Sequence, residues 1–138
     1  LPDHWYPADA KQRAKVDEYL DWHHNGIRLG TTGYFVKKYI MPMVTGKPVD
    51  QESLKESLQH INNSLKLFEK YWLPKSSKYM FGDQMTIADL VFACELTETL
   101  GFAYSEDLKK KYPKIYEWLD QRFMNAIPAF KELTTTGL

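Results

Sequence analysis

Three observations predict an all-α fold, a helical bundle packed around one buried central helix. Apolar residues recur at three- and four-residue spacing through each long stretch, no segment alternates as a half-buried strand would, and short breaker-rich loops separate the stretches. The 138 residues, 43% of them hydrophobic and 14% aromatic, are enough for one core and far from a disordered composition.

Residues 1–7 hold Pro2 and Pro7 with aromatics between them, which predicts an extended connector; it is expected to be the remnant of an interdomain linker, with further protein before Leu1. Residues 8–138 are expected to form one helical domain. Its first segment runs from about Ala8 to Ile40. Val16, Leu20, His23, Ile27 and Tyr34 share one face, and Tyr19, Trp22, Gly26 and Leu29 form a neighbouring stripe. Gly26, Gly30 and Gly33 each cost about 1 kcal/mol against alanine in a helix, so their spacing predicts either close approach by a backbone or ligand, or a bend. Pro42 and Gly46-Lys47-Pro48 are expected to end the segment.

Asp50 is placed to cap a second helix, whose seam is Leu54, Leu58, Ile61, Leu65, Phe68 and Trp72, with Lys55, Glu56, Gln59, Asn62, Lys66 and Glu69 toward water. Pro74 opens the next loop. The third helix, Ile87 to Leu96, is apolar on every side, as a central helix should be. Thr86 and Asp89 form a capping box at its start, the hydroxyl accepting from the Asp89 N–H and the carboxylate from the Thr86 N–H, with Met85 stapled against Leu90. Pro113 opens a fourth helix to about Asn125, with Ile115, Leu119 and Phe123 inside, and a short fifth is expected from Ala126 to Leu133.

Composition excludes several classes of function. Lys+Arg and Asp+Glu both total 18, so a neutral chain offers no electrostatic footprint for nucleic acid or an anionic membrane. The longest apolar run, Leu90 to Cys94, is too short to span a bilayer. A single cysteine rules out an internal disulfide framework and predicts a reducing, cytoplasmic setting. Within its apolar helix, Cys94 is expected to be an inert core residue with a raised pKa. His23 and His24 point about 100° apart on a helix and cannot share a metal, so no metal site is expected. Asn62-Asn63-Ser64 fits a glycosylation pattern but lies mid-helix, and Lys109-Lys110-Lys111 reads as a solvated face.

Pro2-Asp3-His4-Trp5-Tyr6-Pro7, followed by the run from Arg13 to His24, resembles the start of the C-terminal domain of theta-class glutathione transferases. The resemblance continues through Met41-Pro42, Gly46-Lys47-Pro48, Phe81-Gly82 with the Thr86–Asp89 box, Tyr112-Pro113 and Trp118-Leu119. It implies a preceding thioredoxin-like domain that binds most of glutathione and supplies the catalytic serine hydroxyl. No catalytic residue is therefore expected in this chain, which should be inactive alone. The resemblance implies glutathione as co-substrate with no other cofactor, a small hydrophobic electrophile, and a homodimer. Asn25 and Arg28 would reach the partner's glutathione across the dimer; Arg28 suits a carboxylate because a guanidinium offers paired donors, although a helix–helix salt bridge uses the same residue. Thr32, Phe35, Val36 and Tyr39 would line the electrophile pocket, or serve as ordinary core or dimer-face residues. Theta enzymes carry a C-terminal extension over the pocket, and the end at Leu133-Thr134-Thr135-Thr136-Gly137-Leu138 departs from that pattern. The alternative is a stand-alone interaction module, like the related domains in elongation factor and synthetase complexes.

Overall fold

The computed structural model describes the backbone of residues 2–73, 75–102 and 105–135. Pro74 and the terminal Thr136, Gly137 and Leu138, on which two expectations rest, lie outside the described residues. Among the described residues the protein is helical, with only an isolated bridge between Tyr79 and Gly82 in the loop before the central helix.

The lead is not extended. Asp3–Trp5 form a 3-10 turn, and the chain is folded onto the first helix. His4 Nδ1 donates to the Met85 carbonyl at 2.6 Å, Tyr6 donates to Asp17 at 2.8 Å, and Arg13 Nε donates to the Pro7 carbonyl at 2.8 Å. Helix α1, Ala10–Asn25, starts where the Asp9 carboxylate accepts from the Gln12 N–H.

The expected single helix to Ile40 is broken at Gly26, which separates α1 from α2, Ile27–Phe35. A π turn, Val36–Ile40, then leads into α3, Met41–Thr45. Pro42 does not end the segment. It lies within a continuous helical run from Ile27 to Thr45, just after the i→i−5 bond from Met41 N–H to the Val36 carbonyl, where the hydrogen-bond register changes. Gly46 ends α3 in the left-handed conformation, φ 66°.

Helix α4, Gln51–Leu67, is capped by Asp50 as expected, its Oδ1 accepting from the Glu52 and Ser53 N–H groups. A π turn, Phe68–Trp72, closes it. Leu54, Ile61, Leu65 and Phe68 are buried and Leu58 and Trp72 half-buried. Asn62 departs from its expected solvent position: it is half-buried, its Oδ1 accepting from Lys111 Nζ at 2.6 Å and its carbonyl from the Tyr112 hydroxyl at 2.9 Å.

Helix α5, Ile87–Phe102, carries the centre of the core. The Phe92 ring stacks on Phe68 with centroids 3.4 Å apart, and Tyr19 meets both rings edge-on. One side of α5 stays open, however. Ile87 and Cys94 are exposed and Leu90 and Val91 half-buried, so Cys94 is not the core residue expected; an i, i+3, i+7 strip of the helix lacks a covering element among the described residues.

Helix α6, Ser105–Lys111, was not legible in the sequence. Helix α7, Pro113–Glu117, continues through a π turn, Trp118–Phe123, into α8, Met124–Ala126; α9, Pro128–Thr135, follows. Ile115, Leu119 and Phe123 are fully buried, as their spacing predicts.

Candidate functional site

The corner between α1 and α2 is built around Gly26. Its N–H donates to the Trp22 carbonyl at 2.7 Å, ending α1, and its own carbonyl accepts from His60 Nε2 of α4 at 2.9 Å. With φ −92° and ψ −113° it redirects the chain, so Asn25, the last residue of α1, and Arg28, in the first turn of α2, both stand exposed at the corner.

Beneath Arg28 lies a buried polar cluster joining three helices. Glu95 of α5 is 4% exposed. Its Oε1 accepts from His23 Nε2 of α1 at 3.0 Å and from Arg28 Nη1 of α2 at 3.4 Å. Its Oε2 accepts from the Thr31 hydroxyl at 2.6 Å. Burial pushes the Glu95 carboxyl up, but hydrogen bonds from His23 and Thr31 and the charges of His23 and Arg28 outweigh it, holding the group below the usual carboxylate range. Glu98, on the same helix, is shifted the other way, by burial first and then by the negative charge of Glu95. The helix–helix salt bridge weighed for Arg28 is thus present, yet its side chain remains 54% exposed.

Thr32, Phe35, Val36 and Tyr39 follow Arg28 along the same side of the chain at helical spacing. Thr32 and Tyr39 are exposed, Phe35 and Val36 half-buried, and the Phe35 and Tyr39 rings lie 5.5 Å apart. A cavity of about 670 Å³ opens elsewhere, between the lead and the loop before α5, with His4, Val16, Phe81 and Thr86 in its lining.

Asp89 is fully buried and more widely connected than a capping box requires. Its Oδ2 accepts from the Thr86 N–H at 2.9 Å and the Thr86 hydroxyl at 3.0 Å, and its Oδ1 from the Met80 N–H at 2.9 Å. The hydroxyl therefore donates to the carboxylate, the reverse of its expected role as acceptor. Burial raises the carboxyl above its ordinary range against the pull of these donors.

The sequence places His23 on the inner face of the first helix, where it is indeed buried, but gives neither Glu95 nor Thr31 as its neighbours. The available signal was a lone glutamate inside the most apolar helix, since such a residue is almost never buried without partners. Among the described residues, no group of three or more His, Cys, Asp or Glu could hold a metal ion. No helix among them is long and apolar enough to cross a membrane.

The family model described as glutathione S-transferase, C-terminal domain, matches residues 31–126. The chain belongs to this family. It is 39% identical over 117 residues to the glutathione S-transferase theta-1 of Gallus gallus, across 85% of this chain and 44% of that protein. The solved apo form of human glutathione-S-transferase T1-1 superposes with a TM-score of 0.77 at 32% identity, covering 91% of this chain and 51% of that one. A human theta-class transferase in complex with the glutathione conjugate of 1-menaphthyl sulfate gives 0.73 at 32%, covering 87% and 48%. The chain spans about half the length of the curated relatives it matches. The similarity to theta-class proteins and the all-α glutathione S-transferase C-terminal fold are thereby shown, and the three-helix cluster at the α1–α2 corner is part of that fold.

Proposed function

We propose that this domain is the electrophile-facing, dimer-forming half of a theta-like glutathione transferase. It works beside a thioredoxin-like domain that binds most of glutathione and supplies the catalytic hydroxyl. The reading takes a cytoplasmic setting, which a single cysteine suits.

Asn25 and Arg28 contact the glutathione of the partner subunit in this reading, and Thr32, Phe35, Val36 and Tyr39 border the hydrophobic electrophile. The observation that carries it is the Arg28 side chain, 54% exposed at the corner, adjoining a stripe that includes the neighbouring rings of Phe35 and Tyr39. A guanidinium fork matches a carboxylate, and an apolar stripe matches an aromatic or alkyl electrophile.

Steady-state kinetics of the full-length protein test it. Arg28→Ala should raise KM for glutathione about tenfold, the loss of one charge-assisted contact. Phe35→Ala with Tyr39→Ala should raise KM for an aromatic halide and leave KM for glutathione unchanged. Unaltered constants in both variants would remove the assignment.

A further inference from the structure

Glu95 is a carboxylate held in the interior by donors from two other helices, and a buried ionic cluster is a poor source of net stability because desolvation offsets the attraction. The cluster is better explained by what it does to its one member that reaches solvent. His23 is 2% exposed and Thr31 6%, whereas the Arg28 side chain is 54% exposed. Thr31 binds Oε2 and His23 binds Oε1, so both carboxylate oxygens are fixed in direction before Arg28 meets Oε1.

We propose that Glu95 is a positioning residue for Arg28, holding the guanidinium by one Nη1 corner so that its remaining donors face a ligand carboxylate. The guanidinium is planar and rigid, so fixing one corner restricts the orientation of the whole fork. Among the described residues, Nη1 makes the side chain's one protein hydrogen bond, leaving the rest of the fork to a ligand. An arginine already oriented loses less rotamer freedom on binding, and the gain appears as ligand affinity. His23 and Thr31 act one step further back, through Glu95. This inference rests on the assignment of Arg28 to glutathione.

A double-mutant cycle on the full-length protein, read as separate kcat and KM for glutathione, tests it. Glu95→Gln should raise KM about three- to tenfold with kcat within about twofold, since the effect is on ground-state capture. In an Arg28→Ala background Glu95→Gln should add nothing, because a residue acting through Arg28 has nothing left to position. Should Glu95→Gln fail to fold by circular dichroism, Thr31→Val releases Oε2 alone; it should raise KM about twofold, again only when Arg28 is present. If Arg28→Ala leaves KM unchanged, the glutathione assignment itself falls and this inference with it. If Arg28→Ala raises KM while the Glu95 and Thr31 variants do not, or if their effects multiply with that of Arg28→Ala, the positioning role alone is overturned.

Discussion

Asp89 ties the start of α5 to the loop before it: the carboxylate takes the Thr86 N–H and hydroxyl on one oxygen and the Met80 N–H on the other. Truncation strands buried backbone donors at two sites, each worth about 1–3 kcal/mol when left without an acceptor. Asp89→Ala should therefore destabilise the domain by about 2–4 kcal/mol in urea unfolding, and Asp89→Asn by less, because its carbonyl still accepts. A fully stable Asp89→Ala that had lost turnover in the two-domain protein would make Asp89 a site residue instead of a cap. Glu95, on the same helix, titrates in the opposite sense. Its folded pKa is lowered, so its contribution is present above the ordinary carboxylate pKa and is lost as pH falls through the folded value. The Asp89 pKa is raised, so its contribution is complete below the ordinary carboxylate pKa and is lost as pH rises through the folded value. On acidification, wild type should lose stability relative to Glu95→Gln and gain it relative to Asp89→Asn. Among the described residues, His23 and Tyr19 of α1, Arg28 of α2, and Cys94 and Glu98 of α5 are titratable or charged groups coupled to Glu95, and Tyr19 is coupled to Asp89 as well. Denaturation midpoints across the acid range check both signs at once.

At the scale of elements, the two alternatives offered by the glycine spacing are divided between different residues. Gly26 makes the bend. Gly30 allows close approach: a Cβ there would lie 2.8 Å from Ile61 Cγ1 and 2.9 Å from the Ile61 backbone nitrogen of α4. The backbone contact cannot yield, so Gly30→Ala should cost about 1–3 kcal/mol by forcing α2 and α4 apart. Gly33 is the control. Its nearest neighbour would be Ser57 Oγ at 3.5 Å, so Gly33→Ala should be neutral or gain up to about 1 kcal/mol of helix propensity. Equal losses in the two variants, measured by urea unfolding, would show that the α2–α4 contact is not set by Gly30. The long apolar seam of α4 and the Asp50 cap were legible because period and cap are local. The α1–α2 break was not, since one glycine in a periodic run carries no sign of whether it bends the chain. Helix α6 escaped notice for a related reason: it carries a run of lysines with no apolar period, and Lys111 at its end donates to Asn62 of α4, 49 positions away.

For the whole molecule, the stacked aromatic centre and the α4 seam predict a cooperative helical fold that needs neither metal nor disulfide. Strong far-UV helical minima that survive a chelator are the expected result; their loss on chelation would contradict it. The chain alone should not conjugate glutathione to a chlorinated aromatic above the uncatalysed rate, because the proposed catalytic hydroxyl belongs to the thioredoxin-like domain. Fold class, the principal helices, the inner face of Ile115, Leu119 and Phe123, and the family were determined by the sequence itself, for periodicity, caps and motifs are written in neighbouring residues. Only the tertiary structure decided that Glu95 joins His23, Thr31 and Arg28, that Asp89 reaches Met80, and that Ile87 and Cys94 of α5 are exposed. Such polar pairings join residues up to 72 positions apart in the chain, and the exposure of Ile87 and Cys94 depends on which elements pack beside α5. A hydrophobic pattern specifies that a face is buried, but carries no information on which distant donor satisfies a charge within it.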